Sequence, residues 1–406
     1  MSTAQRPRLT DLADPSILPD PYPLLAALRE ASPFAEMDGA FVVAGRHEDI
    51  SAVLRLPNAS SERQRSLVAA ASTRQRSRPS FLNLDPPDHT RLRRLVSTAF
   101  TPRRIARLEP RIRAITSELL GAATAAGQLE VVSQLAYPLP VRIISEMLGV
   151  PADDHPRFAG WSARLAQSVQ PGFGLSEDEA MSRAQAAQAA SDEFADYFRG
   201  LIAARRASPA DDLLTGLVQA EDDGEMLTED ELIATCVLLL VAGHETTVGL
   251  ISNAILALLR NPDQLALLRQ QPALAAGAVE ETLRYDAPVQ MTARVARGGM
   301  QVGDVTAQDG ALILLLLAAA GRDPGVYPEP DRFDVRRGAT SHLAFAAGPH
   351  YCLGAPLARL EATVAVQAFA TRLTAPELEP GSLAYKANLN LRGPEQMIVS
   401  FDALTG

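Results

Sequence analysis

Residues 345–356 read Phe345-Ala346-Ala347-Gly348-Pro349-His350-Tyr351-Cys352-Leu353-Gly354-Ala355-Pro356, and the helical run LARLEATVAVQAFATRL (357–373) follows at once. Two glycines and two prolines force an irregular turn, so Cys352 sits just before a helix N-terminus. Free amides and the helix dipole there favour a thiolate. Glycines let backbone amides approach the sulfur and donate to it, which tunes a metal–thiolate bond. His350, two residues back, can reach a nearby anion. A lone cysteine at a turn is ordinarily a small buried residue and nothing more. The fixed spacing of Phe, Gly, His, Cys and Gly makes that plain reading untenable here.

Outward from this turn, the 406-residue chain is 47% apolar and 21% charged, a globular balance that excludes disorder and fibrous classes. Such a length buries a core large enough to enclose a cofactor. The formal charge is −10, so general nucleic-acid binding is excluded, because phosphate binding needs clustered basic residues. Lys386 is the single lysine, and 37 of the 38 basic residues are arginine. Two cysteines, Cys236 and Cys352, make no disulfide framework. The start, MSTAQRPRLTDLADPS, has no apolar signal core. The strongest apolar runs, 232–242 and 311–320, are short of the roughly 20 residues that span a bilayer. The expectation is a soluble, cytoplasmic protein with no membrane segment.

Helical periodicity dominates. Segments are expected near 88–99, 102–126, 139–148, 178–206, 229–260, 262–270, 272–285 and 356–373. Strand signals cluster at 40–44, in 291–316 and in 388–401. The fold class is therefore mainly α with a small β-rich part. No repeat or linker divides it, so residues 1–406 are read as one domain. Residues 57–83, rich in Ser, Arg, Gln and Ala, read as a long binding loop or lid.

The spacing F-x-x-G-x-H-x-C-x-G closely resembles the heme-binding signature of the cytochrome P-450 family. That resemblance implies a triangular helical body with heme b between a distal and a proximal helix. It makes Cys352 the proximal thiolate ligand of the iron, with Phe345, Gly348 and Gly354 shaping its turn. A thiolate pushes electron density onto iron and favours O–O cleavage. Other motifs fall in the family's order. Glu281-Thr-Leu-Arg284 places an acid and a base on one helix face, and the resemblance makes them a buried structural pair. Asp331-Arg-Phe333-Asp-Val-Arg336 resembles the segment whose arginine joins that pair.

Ala242-Gly243-His244-Glu245-Thr246-Thr247 lies inside a long apolar helix. Glycine weakens a helix there, and a threonine hydroxyl can bond back to a carbonyl and open the ladder. By resemblance this is the distal helix, with Ala242 and Gly243 against heme, Thr246 hydrogen-bonding dioxygen, and Glu245 relaying protons. His244 reads as a spacer. Asp85-Pro-Pro-Asp-His89-Thr-Arg91-Leu-Arg93-Arg94 opens a helix with His89 and Arg93 on one face. Two donors on one face suit a carboxylate. The resemblance assigns His89, Arg93, Arg294 and His350 to the heme propionates.

The implied reaction is monooxygenation of a small organic molecule, by hydroxylation or epoxidation in secondary metabolism. The chain has too few cysteines for an iron–sulfur cluster. Electrons must come from an external partner, a ferredoxin fed by a NAD(P)H-dependent reductase. Between Asp85 and Arg113, eight arginines (Arg91, Arg93, Arg94, Arg103, Arg104, Arg107, Arg111, Arg113) face three acids, a local balance of +5 that would steer an acidic protein.

By family analogy the substrate touches the 57–84 loop and helices between 155 and 205. Candidate lining residues are Val237, Leu240, Val241, Val289, Gln290, Met291, Asn390 and Leu391, mostly apolar, which suits a largely apolar substrate. Arg55, Arg63, Arg65, Arg74, Arg76 and Arg78 stand against Glu62 alone, raising an anionic substrate or an acidic carrier protein as alternatives to a solvated loop. Two further readings stay open at this level. One is an atypical heme–thiolate enzyme for oxidative coupling or peroxide-driven oxidation. The other is a non-catalytic heme-binding protein.

Overall fold

In the computed structural model, the sequence's apolar stripes assemble around the helix Glu229–Arg260, which runs through the middle of the largest core cluster. Residues 8–70, 80–98, 100–122, 127–168, 176–222, 224–338, 341–388 and 390–405 are described. The helix starts in a capping box. Thr228 Oγ1 accepts from the Glu231 amide at 3.3 Å, and the Glu231 carboxylate accepts from the Thr228 amide at 2.8 Å. By length and composition this helix could cross a membrane, but it is mostly buried inside the protein. The expectation of short apolar runs thus understates the helix, because its polar 243–247 patch interrupts the run and not the structure.

Most expected helices appear, at Asp88–Ser97, Pro138–Met147, Glu177–Ala207, Pro262–Gln270, Ala275–Tyr285 and Ala355–Arg372. The single helix expected over 102–126 is instead two, Pro102–Arg107 and Glu109–Ala122, parted at Leu108. Pro110 explains the break, since it lacks an amide and its ring opposes a preceding helical turn. Residues 123–126 lie outside the described residues. Short helices Tyr22–Ala31 and His47–Val53 were not expected, while His155–Ser168 falls where only the family analogy placed a helix. The last is held by tertiary contacts between rings, with Phe158 packing on Trp161, Phe194, Tyr197 and Phe198 at centroid distances of 4.9 to 6.1 Å.

The β part contains a five-stranded sheet ordered Phe34–Glu36, Phe41–Ala44, Leu312–Leu315, Thr292–Ala296, Ala59–Ser60. Leu312–Leu315 pairs parallel to Phe41–Ala44 and antiparallel to Thr292–Ala296, placing Arg294 opposite Ile313. The tail strands Pro394–Gln396 and Ile398–Ser400 belong to separate small sheets. The described part of the expected 57–83 loop carries a strand at Ala59–Ser60, a turn at Arg63–Arg65 and a short helix at Leu67–Ala70. Residues 71–79, with Arg74, Arg76 and Arg78, lie outside the described residues.

Three segments distant in sequence meet at the core helix. Val289 bridges to Leu391, and the Gln290 amide donates to the Asn390 carbonyl at 3.0 Å. Gly249 makes this possible. A Cβ there would lie 2.9 Å from the Arg392 carbonyl oxygen, closer than a side chain tolerates. Arg392 then pins the tail, its Nε donating to Asp286 at 2.7 Å, while Tyr22 donates to the same carboxylate oxygen at 2.7 Å.

Candidate functional site

The Cys352 turn is built by backbone constraints. Gly348 has φ +68°, and a Cβ there would stand 2.3 Å from the Leu54 carbonyl oxygen, so no other residue fits. The Cys352 amide donates to the Phe345 carbonyl at 3.0 Å and closes the loop. Burial pushes the Cys352 thiol above its ordinary pKa, against the opposing pull of the Gly354 and Ala355 amides, Arg93 and Arg359. The helix start therefore prepares the sulfur without ionising it alone. A bound metal ion's own charge is what deprotonates a coordinating thiol. Cys352 is accessible.

Glu280 anchors this turn and was missed in the sequence, where it stands unmarked beside Glu281. Arg359 donates to both of its oxygens, at 2.6 and 3.1 Å, and His342 Nε2 lies 3.2 Å away. Arg359 also donates to the Tyr351 hydroxyl at 3.0 Å. Burial would raise the Glu280 carboxyl, yet His342 and Arg359 hold it at about 2.

Glu281 and Arg284 are joined by two hydrogen bonds of 2.7 and 2.8 Å, and their side chains are 1% and 0% exposed. The third member is Arg337, whose Nε donates to Glu281 at 3.1 Å. This corrects the segment expected to supply it, 331–336. Arg336 is exposed, and Arg332 contributes only its carbonyl to Arg284.

The core helix runs unbroken through Ala242–Thr247, so the expected opening of its ladder is not seen. The hydroxyls do bond back, Thr246 Oγ1 to the Ala242 carbonyl at 2.9 Å and Thr247 Oγ1 to the Gly243 carbonyl at 3.0 Å. Ala242 is exposed, although most of this helix is buried. With Leu238, Val241, Glu245 and Thr246, all partly exposed, it forms one accessible stripe at helical spacing.

Glu245 is clamped. Lys386, the single lysine, places Nζ 2.7 Å from Oε2, and His244 Nε2 stands 3.6 Å from Oε1. Burial would raise Glu245, but His244 and Lys386 hold it at about 2. His244 itself is 2% exposed, with Nδ1 2.7 Å from the Leu240 carbonyl. Lys386 carries no sequence signal, because it lies 141 residues away.

His89, Arg93, Arg294 and His350 converge. The His89 and His350 rings lie 4.0 Å apart, and both His89 nitrogens are buried without a hydrogen-bond partner. Arg93 donates to the Tyr351 carbonyl and Arg294 to the Ala293 carbonyl. Burial, then His89 and Arg294, push His350 down to about 3, and burial with Arg63 lowers Arg294 to about 10. Donors crowd here without enough acceptors. Heme b fits this chain on these observations, with two carboxylates for the donor cluster, an accessible stripe for a flat apolar face, and a sulfur with amides aimed at it.

Other expected site residues separate. Val237, Val241, Val289 and Leu391 are partly exposed, whereas Leu240 is 2% exposed against Tyr137, Val141 and Ile144. Asn390 is buried at 9%. Gln290 is 0% exposed and donates to the Ala287 carbonyl at 2.6 Å, and Met291 packs with Leu25, Leu28 and Leu314. Neither Gln290 nor Met291 lines an open space here, because side chains of the bend before the sheet turn into the core. The proposed docking patch also thins. Arg91 pairs with Glu231, Arg111 with Glu146 and Arg113 with Glu109, leaving Arg103, Arg104 and Arg107 exposed on one short helix.

The family model described as Cytochrome P450 matches residues 36–375. Cytochrome P450 monooxygenase PikC of Streptomyces venezuelae is 41% identical over 92% of this chain and 89% of its own length. The 6-deoxyerythronolide B hydroxylase of Saccharopolyspora erythraea is 36% identical over 97% of this chain and 98% of its own. The ligand-free crystal structure of CYP164A2 from Mycobacterium smegmatis superposes with a TM-score of 0.88 at 46% identity, covering 97% of this chain and 99% of that one.

Proposed function

The chain belongs to the cytochrome P450 family as a heme b monooxygenase, and we propose on that premise that the Cys352 thiolate would hold the heme iron for oxidation of a largely apolar small molecule. The observation that carries this reading is the Cys352 turn, where Gly348 permits the loop and two amides and two arginines favour negative charge on sulfur. Bound heme supplies reductive activation of dioxygen and insertion of one oxygen atom into the substrate.

The protein's own groups do the rest. His89, Arg93, Arg294 and His350 hold the propionates by charge-assisted hydrogen bonds. Ala242 leaves room on the core helix for a flat ligand, while Gly243 faces Ile144, 3.4 Å from where its Cβ would stand. Thr246 Oγ1, whose own proton goes to the Ala242 carbonyl, keeps its lone pairs free to receive a proton, and Glu245, ionised at neutral pH, receives protons from solvent and passes them towards that hydroxyl. Lys386 and His244 fix the carboxylate's position. Val237, Val241, Val289 and Leu391 supply apolar lining for the substrate.

Stoichiometry tests the reading. Consumption of NADH, oxygen and substrate in a ratio of one to one to one, with an external ferredoxin and reductase, is the monooxygenase result. Turnover with peroxide alone, or product without oxygen incorporation, would favour the peroxide-driven or coupling alternative. Thr246→Ala and Glu245→Gln are expected to lower product per NADH by about tenfold or more, a smaller effect than the roughly hundredfold or more a positioned proton donor contributes to rate. Hydrogen peroxide should account for the missing reducing equivalents. Unchanged coupling in both variants would remove the relay.

The electron donor we infer is an acidic ferredoxin that docks at Arg103, Arg104 and Arg107. Reversing all three to Glu should lower kcat/KM for ferredoxin at least tenfold at low salt, converging on the parent at high salt, where exposed charges are screened. A salt-independent loss would point away from docking.

A further inference from the structure

His244 reads as a spacer in the sequence, yet the fold gives each of its ring nitrogens a task. Nδ1 lies 2.7 Å from the Leu240 carbonyl oxygen, one turn back along the core helix. A carbonyl only accepts, so Nδ1 carries a hydrogen and Nε2 is the ring's one site for acid–base chemistry. Nε2 is buried without a hydrogen-bond partner and stands 3.6 Å from Glu245 Oε1. That separation suits an ion pair and is longer than a hydrogen bond. Hydrogen bonds used in catalysis are often long in the resting protein and tighten when the ligand is in place.

The groups around the ring decide the state of Nε2. From the core helix the Glu245 carboxylate faces it. From the turn before Pro138–Met147 comes Tyr137, whose ring meets it edge-on at 5.9 Å. The hydroxyls of Ser145 and Ser162 line the same narrow void and carry no charge. Burial and then Glu245 push Tyr137 up to about 12, so it stays neutral. The other charge on this carboxylate is Lys386, 2.7 Å from Oε2. A bare Nε2 would turn a lone pair towards a carboxylate, which repels it, whereas a protonated Nε2 turns a donor towards it. Burial would raise Glu245, yet His244 and Lys386 hold it at about 2, so a resting proton does not stay on the carboxylate. The His244 and Glu245 side chains are 2% and 14% exposed, so solvent meets the acid and the ring lies behind it.

Releasing one atom of dioxygen as water consumes two protons in each turnover, and a carboxylate passes on one at a time. We propose that His244 is a positioning residue that holds the next proton for Glu245. Once Glu245 has passed a proton to Thr246 Oγ1, Nε2–H gives its own to Oε1. The ring is left neutral with its hydrogen on Nδ1, and solvent restores the Nε2 proton through the exposed edge of Glu245. One proton moves at each step and no electrons do. Lys386 keeps Oε2 occupied, so Oε1 is the oxygen that exchanges. The inference rests on the Glu245–Thr246 relay above and adds a member to it.

Nitrogen NMR of the full-length holoenzyme, labelled at its histidines and held in the diamagnetic reduced, carbon monoxide-bound form, reads both ring nitrogens against pH. The His244 signals are those missing from His244→Phe, which keeps a ring against Tyr137. Should that variant fail to fold, His244→Asn keeps a donor for the Leu240 carbonyl and serves instead. Nδ1 is expected to stay protonated throughout while Nε2 titrates. Glu245→Gln should lower the Nε2 midpoint by about one pH unit or more, as loss of an opposite charge within about 4–6 Å does. Lys386→Gln should raise it, because one competing cation is gone. A bare Nδ1, or a midpoint that Glu245→Gln leaves in place, overturns the proposal. Turnover gives a second readout, taken with external ferredoxin and reductase and no added substrate. Below the parent's midpoint, His244→Phe should release about twofold more hydrogen peroxide per NADH than the parent, a small part of what a positioned proton donor contributes. Above it the two should release the same amount. Equal yields at every pH also overturn the proposal. Failure of the relay itself appears separately, as unchanged product per NADH in Thr246→Ala.

Discussion

Cys352→Ala is expected to abolish the red-shifted Soret band of the reduced, carbon monoxide-bound protein and to take product formation below detection. The chain offers no substitute thiolate. Cys236 is fully buried in the core helix, where burial pushes its thiol up to about 12, and a thiol so placed is inert. The fold should survive, because Cys352 is accessible and lies outside the apolar core. The helical far-ultraviolet spectrum should therefore match the parent. Cys352→Ser would sharpen the result, since it keeps the shape and replaces the soft sulfur donor by oxygen. Loss of the band in both variants assigns the ligand. A persisting red-shifted band in Cys352→Ala would show that another group holds the iron.

The second large effect is on stability and comes from Arg284. Its guanidinium donates to Glu281 and to the carbonyls of Gly321 at 2.9 Å, Pro330 at 2.7 Å and Arg332 at 3.0 Å. Glu281 in turn accepts from the Asp334 amide at 2.9 Å and from Arg337. Removing one member of a buried ion pair leaves an uncompensated charge and costs about 3–5 kcal/mol. Arg284→Ala also strips three carbonyls of a donor, that of buried Gly321 among them. It should therefore lower the unfolding free energy by at least that amount at matched heme saturation, since bound heme itself shifts apparent stability. Should Arg284→Ala fail to accumulate, Glu281→Gln provides the measurable case. It keeps the side chain's shape and removes the charge, and a destabilisation of about 2 kcal/mol or more is expected. A change under about 0.5 kcal/mol in either soluble variant would show that this network does not hold the fold.

The legible part of the site was the part written in short spacings. Cys352 with its glycines and His350, Glu281 with Arg284, Glu245 with Thr246, and His89 with Arg93 each lie within one turn or one loop. Their chemistry is visible because residues three, four or two apart share a face or a bend. Groups that act across the chain left no such trace. Lys386 clamps Glu245, Glu280 ties the cysteine turn to Arg359 and His342, and Arg337 completes the Glu281 pair. Met291 misled for the same reason. It stands beside pocket candidates in sequence, but the bend before the sheet turns it into the N-terminal core cluster.

What the sequence determined by itself was the helical class, the small β-rich part, the thiolate turn and the acid–alcohol pair. Hydrophobic period, caps and glycine positions act locally, so they can be read in one dimension. Only the tertiary structure decided which charges are neutralised and which remain. Pairing took Arg91, Arg111 and Arg113 out of the basic patch. Strand register carried Arg63 to Thr292, while Glu62 pairs with Arg65. A charge's energy depends on its distance from other charges and from water, and the fold sets both distances.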